Sequence, residues 1–374
     1  MDHGGGYPAL AFDPGVVAPA PAVPPLHPSL TLFDSRMTPG GPVIQVDSAG
    51  DEAAFAHIPL VGVWRNGFLE SIHHGTAVLT GTDGSVVEGH GAVDAPMFPR
   101  SANKPFQGLA MVRNGLDLEG ELLALACASH SGETFHLEGA RRILARAGLP
   151  ESALRCVPDL PLGTAQRDAW LATGKGPERI AMNCSGKHAA MLLTCVHNGW
   201  STEDYLAPEH PLQRAVRQAV EDIAGEPVAA VGVDGCGAPL FAISLAGLAR
   251  SFGRFAGAAE GTGERRIADA MRAHPEWVAG TGRDVTRLMR AVPGLLAKDG
   301  AEAVYAVGLP DGRGAAVKIA DGATRAHIVA MAALLRRMGV DEQSLAPFAH
   351  APVYGAGEVV GAIRAFPLLS EPAR

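Results

Sequence analysis

The chain has 374 residues, 47% hydrophobic and 19% charged, and its 31 Lys and Arg against 39 Asp and Glu give a net charge of −8. That apolar content is enough for a large core and excludes global disorder, while the acidic balance argues against nucleic acid or an anionic membrane as a partner. The longest near-continuous apolar stretch, Gly237–Ala249, is shorter than the roughly 20 residues a membrane-spanning helix needs.

In chain order, residues 1–55 hold 9 of the 28 prolines and a single Lys or Arg, Arg36, so they are expected to be a disordered N-terminal extension. No basic residue precedes Arg36, so no secretory signal is read. Residues 56–374 are expected to form a single domain. Leu60–Trp64 and Phe68–Ile72 flank Asn66-Gly67, and Thr76–Thr80 and Ser85–Glu88 flank Asp83-Gly84. Both are hairpin turn signals, which gives three or four antiparallel strands. Helical patterns follow at Glu121–Cys127, Leu137–Ala147, Ala189–Val196, Leu212–Ile223, Phe241–Leu248 and Arg266–Met271. Gly148 and Gly199 stand where helices end on a left-handed residue. Ala303–Leu309 and Ala315–Ile319 flank Asp311-Gly312 as a third hairpin, and a last helix covers Thr324–Met338. The fold class is therefore α+β: an antiparallel sheet from both chain ends, with a helical insertion over about 101–296.

Five motifs carry candidate chemistry. Ser101 and Lys104 lie three apart in Arg100-Ser101-Ala102-Asn103-Lys104-Pro105, and Pro105 is tolerated if a helix starts at about Ser101. A serine at a helix N-terminus with a desolvated lysine nearby can be a nucleophile with its base, but on these residues alone a cap beside a solvated lysine is the commoner case. In Cys127-Ala128-Ser129-His130-Ser131-Gly132-Glu133, a helix end followed by a cap at Ser131 or Thr134 leaves Ser129 and His130 unassigned. Cys184, Lys187 and His188 share one helix face; thiolate plus imidazole is a start for zinc, although on these residues alone Cys184 reads more readily as a small buried hydrophobe. Asp234-Gly235-Cys236-Gly237 places a cysteine between glycines, where packing explains it poorly. Lys298-Asp299-Gly300-Ala301-Glu302 leads into the strand 303–309, its glycine leaving room for a substrate. The Gly355-x-Gly357-x-x-x-Gly361 run has the wrong spacing for a dinucleotide loop and is read as a turn, and His73 and His74 are not read as ligands. The five cysteines form no C-x-x-C pair, which points to a reducing cytoplasm with thiols used singly or as ligands.

S-x-x-K, then a serine motif, then K-x-G, in this order, resembles the penicillin-binding-protein, β-lactamase and serine-glutaminase architecture. The strings Arg100-Ser101-x-x-Lys104-Pro105-x-Gln107, Ser129-His130-x-Gly132-Glu133, Cys184-Ser185-Gly186-Lys187-His188, Asp234-Gly235-Cys236-Gly237 and Lys298-x-Gly300-Ala301-Glu302 are closer still to the asparaginase II family of the rhizobial type, over about Ile58 to Ala365. The resemblance implies a β-lactamase/serine-glutaminase-like fold and hydrolysis of L-asparagine to L-aspartate and ammonia. It implies a Ser101 acyl-enzyme with Lys104 as base, and Ser129 with Lys298 as a second tandem. Cys184, Lys187 and Cys236 match a zinc site, with His188 adjacent; the lysine ligand comes from the resemblance alone. Arg100, His130, Asp234 and Arg283 stand as substrate-binding candidates, and the backbone near Ser101 and Ala301 as oxyanion donors. A homodimer is the family expectation. The alternatives are a glutaminase, another serine-lysine amidohydrolase or β-lactam hydrolase, and a non-catalytic zinc-binding protein. Cys127 and Cys195 are assigned to packing, and Cys156 to nothing.

Overall fold

The computed structural model describes residues 57–370, so the extension expected over 1–55 lies outside the described residues. Turn chemistry builds the first part of the sheet. β1 (Ile58–Arg65) and β2 (Phe68–Thr80) pair antiparallel across Asn66-Gly67, whose φ values of 50° and 82° suit a tight hairpin of matching twist. β2 is one strand of 13 residues, so the two short strands expected before and after His73 are continuous. It turns at Asp83-Gly84 into β3 (Val86–His90).

The chain next forms a short β4 (Pro96–Met97) and enters the helical insertion. The expected helices form at Gly120–Ala126, Thr134–Arg146, Ser185–Asn198, Pro211–Ala224 and Gly263–Ala273, and Gly199 closes its helix at φ 66°. One expectation is corrected. The run Phe241–Leu248 is a strand and then a helix: β6 (Pro239–Ser244) pairs with β5 (Ala230–Val233) and β4, and a helix covers Leu245–Ala256. All six residues of β6 are buried, so no period of two survives to distinguish it from a buried helix. Ser244 ends the strand and caps the helix, its Oγ accepting from the Gly247 N–H at 2.8 Å.

The chain returns to the main sheet through β7 (Leu296–Gly300), β8 (Val304–Gly308) and β9 (Gly314–Ile319), with the expected turn at Asp311-Gly312. Lys298 and Gly300 thus lie on a strand of their own, antiparallel to the one they were expected to introduce. Helix Thr324–Arg337 follows, and then a further hairpin, β10 (His350–Gly355) and β11 (Glu358–Ala365), turning at Ala356-Gly357. β11 pairs with β1, so both ends of the described chain meet side by side in the order β10-β11-β1-β2-β9-β8-β7, with β3 on β2. The class is the expected α+β. Helices Leu245–Ala256 and Thr324–Arg337 lie against the sheet. Gly308 and Gly314 let the first approach: a Cβ there would meet the backbone oxygens of Phe252 and Ala249 at 2.0 and 1.9 Å. Among the described residues no helix is long and apolar enough to cross a membrane.

Candidate active site

Ser101 sits in a 3-10 turn, Arg100–Asn103, and the α-helix proper begins at Lys104, three residues later than expected. Pro105 falls in the first turn of that helix, where its missing N–H has no helical partner to lose. Arg100 holds a left-handed φ of 50°, an uncommon conformation for a side chain with a Cβ. Its Nε donates to Asp234 Oδ1 at 2.9 Å, tying the turn to the β5–β6 loop. Ser101 is half-buried, and among the described residues its hydroxyl makes no hydrogen bond. Lys104 is buried, and its Nζ donates to Ala128 O, to Ser129 Oγ at 2.7 Å and to Cys184 Sγ at 3.0 Å. The structure therefore pairs Lys104 with Ser129, the serine of the second expected tandem, and not with Ser101.

Ser129 follows helix Gly120–Ala126 and is buried, its backbone N–H bonded to Val278 O at 2.9 Å. His130 is fully buried; its Nε2 meets Ser185 Oγ at 2.9 Å, and its ring stacks on His136 at 5.0 Å. Burial pushes both imidazoles down, His130 well below its ordinary value and His136 to about 4. The next helix is capped by Glu133, not by Ser131 or Thr134; Ser131 Oγ donates to Ala279 O instead.

Lys298 is fully buried on β7 and donates to Asp299 O at 2.7 Å and Asp299 Oδ1 at 2.6 Å. No hydrogen bond joins it to Ser129 among the described residues. Burial is the main cause that lowers Lys298 to about 8, with Asp299 opposing it and Lys104 adding to it. Arg283 donates to the other oxygen of Asp299 and, at 3.5 Å, to Ser129 O. Gly300, at the end of β7, lies against the Ser101 turn: a Cβ there would be 2.6 Å from Pro99 O and 3.2 Å from Ser101 N. Ala301 follows in the exposed turn.

Cys184, Lys187 and Cys236 come together in a third cluster beside Lys104. Lys187 Nζ donates to Cys236 Sγ at 3.1 Å, and Cys184 Sγ donates to Asn183 Oδ1 at 2.9 Å. Cys236, beside Cys184, Lys187 and His188, is pulled far below the ordinary thiol range, and Cys184 is pushed well above it by Cys236 and by burial. Burial would lower Lys187, but the two cysteines and Asp234 keep it raised. His188 Nδ1 lies 2.8 Å from Tyr205 OH, while its buried Nε2 has no hydrogen-bond partner among the described residues. Among the described residues no group of three or more His, Cys, Asp and Glu side chains is arranged to hold a metal; the expected set has two such residues and a lysine. Cys127, Cys156 and Cys195 are buried as free thiols.

The family described as L-asparaginase II matches residues 61–365. The chain belongs to the L-asparaginase II family. No curated relative matches by sequence. Among solved structures it is similar to the native form of Mglu (14% identity, TM-score 0.37, 66% of this chain and 58% of that one). It is also similar to a β-lactamase from Mycobacterium bovis (14%, 0.31, 67% and 88%). A third is the LovD6 mutant of simvastatin synthase from Aspergillus terreus (10%, 0.32, 66% and 86%). The match spans little more than half the length of Mglu.

Within this L-asparaginase II member, one side chain in the cluster was not singled out by its sequence. Asp299 stands inside a quoted motif, between Lys298 and Gly300, yet its contact with Arg283 depends on a residue 16 positions away. An acidic residue flanked by a buried lysine was the available signal.

Proposed function

We propose that the protein is an L-asparaginase that hydrolyses the side-chain amide of L-asparagine through an acyl-enzyme on Ser101. The observation that carries this reading is the meeting of Lys104 with Ser129 at 2.7 Å, buried behind the more accessible Ser101, with the Lys298 strand packed on the Ser101 turn. Ser101 Oγ attacks the amide carbon as its proton passes to Lys104, which takes it only after giving up one of its own three protons through Ser129 and turning toward Ser101. The oxyanion that forms is held by the N–H groups of Ser101 and Ala301, an interaction worth about 3–4 kcal/mol per donor. Collapse breaks the C–N bond, and Ser129 and Lys298 deliver the proton that lets ammonia leave. Water then hydrolyses the aspartyl ester. We assign Arg283 and Arg100 to the substrate carboxylate, and Asp234, which Arg100 binds in the free site, to its amino group.

We also propose that Cys184, Lys187 and Cys236 hold zinc. The donor chemistry fits once Lys187 gives up its proton: two buried sulfurs, the Cys236 thiol pulled far below its ordinary range, the Lys187 nitrogen against it at 3.1 Å, and the buried His188 Nε2 beside them. Bound there, zinc would supply a fixed positive charge next to the substrate pocket. The three side chains hold the ion, and none of the steps above passes through it.

Ammonia release from asparagine tests the reading, with glutamine and a chromogenic β-lactam as rivals. Turnover of asparagine above both, lost in Ser101→Ala, is expected. Persistent turnover in Ser101→Ala would overturn the nucleophile, and preference for another amide would overturn the substrate. A chelated protein that unfolds without ever releasing ammonia would favour a zinc-binding protein instead.

A further inference from the structure

The ion cluster at the end of β7 is more than the expected second tandem. Lys298 has two hydrogen-bond acceptors among the described residues, and both belong to Asp299. The other Asp299 oxygen is bound by Arg283, which alone of the three is appreciably open, at 25% side-chain exposure against 10% for Asp299 and 0% for Lys298. Arg283 also reaches Ser129 O. A solute carboxylate entering the site can therefore touch Arg283 but not the lysine behind it. Among the described residues, the Asp299 carboxylate is the group hydrogen-bonded to both cations.

We propose that Asp299 is a positioning residue: its carboxylate fixes the place and charge of Lys298 and couples it to Arg283, the arginine poised for a substrate carboxylate. The kinetic part of this proposal rests on the amidohydrolase reading; the electrostatic part does not. Burial alone would raise the Asp299 carboxyl, but Lys298 and Arg283 together hold it well below the carboxylate range. Asp299 in turn is the leading cause that raises Arg283. The other groups that face this cluster are Lys104 and Cys127 on the side of Lys298, and His327, Asp284 and Tyr305 on the side of Asp299 and Arg283. Among these, Asp299 is the carboxylate bonded to Lys298. Removing its charge leaves Lys298 facing only cations and neutral groups at contact distance, so Lys298 must lose its proton at lower pH. Removing Arg283 has the opposite sign, because it removes a cation and leaves Asp299 wholly to Lys298.

The test is a pH titration of the full chain labelled with 15N-lysine, with the Lys298 signal assigned by its loss in Lys298→Arg. The wild-type midpoint is expected near about 8. Asp299→Asn should move it down by about one pH unit or more, and Arg283→Gln should move it up. The rise of kcat/KM with pH should follow in the same two directions. A role in folding alone gives no such opposed pair. The proposal is overturned if the Lys298 midpoint is the same in wild type and Asp299→Asn, or if both variants move it the same way. If Asp299→Asn does not fold, the upward move in Arg283→Gln decides, and its absence overturns the proposal. Opposed shifts in a protein that releases no ammonia from asparagine would keep Asp299 as the anchor of Lys298 and reject the proposed activity.

Discussion

Replacing Gly300 with Ala gives the most direct test of how the sheet positions the candidate nucleophile. A Cβ on residue 300 would lie 2.6 Å from Pro99 O, 3.1 Å from Ala102 N and 3.2 Å from Ser101 N. Comfortable carbon contacts are about 3.5–4.0 Å, so either β7 or the Ser101 turn must retreat by roughly half an ångström to an ångström. All three contacts are backbone atoms, so no flexible side chain can swing away. Overpacking of this kind costs about 1–3 kcal/mol. The catalytic penalty should be larger, because a displacement of about 1 Å at the reacting centre costs about 100-fold in rate. Gly300→Ala should therefore lower kcat for ammonia release by about 100-fold, with a fall in Tm of several degrees. Gly176→Ala is the control, since a Cβ there meets nothing within 4 Å; it should leave both quantities unchanged. A Gly300→Ala protein with wild-type kcat and Tm would refute the packing argument. One that loses stability but keeps kcat would refute the claim that this contact positions Ser101.

His136 should make the protein acid-sensitive. Burial holds its folded-state pKa at about 4, below the ordinary 6.5, so the neutral ring favours the folded state fully above about pH 6.5. That contribution is lost as pH falls from about 6.5 to about 4, by about 3 kcal/mol in all. Urea unfolding at pH 7 and pH 4.5 should show a smaller loss in His136→Gln than in wild type; an equal loss would contradict it. Burial pushes the Cys127 thiol to about 12, Cys156 to about 11 and Cys195 to about 12, so an alkylating reagent at pH 8 should modify none of them until denaturant is added. Rapid labelling of any of the three in the native protein would count against their burial. Cys236→Ser should abolish the proposed zinc binding, measured as metal content after dialysis, and retention of one zinc per chain would reject the ligand set.

The hairpins were readable because their turns demand backbone conformations that few residues accept. Asn66 and Gly67, Gly84, and Gly312 all have positive φ in the folded chain, and the sequence places a residue suited to it at each turn. The helices of the insertion were readable by period, and their ends less so. What failed was β6, where Pro239–Ser244 is buried on every side and carries no alternation. The strand of Lys298 was hidden for the same reason: all five residues of β7 are buried, charged Lys298 and Asp299 included, because the two neutralise one another. A sequence pattern treats such a pair as a solvated turn.

The residues of the site were legible as motifs, but their pairing was not. Spacing alone put Ser101 and Lys104 on one face and so joined them. A buried ammonium has three N–H donors and needs three acceptors. For Lys104 these are Ala128 O, Ser129 Oγ and Cys184 Sγ, contributed by two segments far away in the chain. No donor is left for Ser101, whatever the helical geometry between the two residues. The same accounting separates the two lysines. Lys104 has a full set of acceptors, while Lys298 has two, both from Asp299. Burial, opposed by Asp299, brings Lys298 to about 8, in the range where it can exchange a proton near neutral pH. Each assignment follows from counting donors against acceptors in a space that excludes water, and that count depends on which segments the fold brings together.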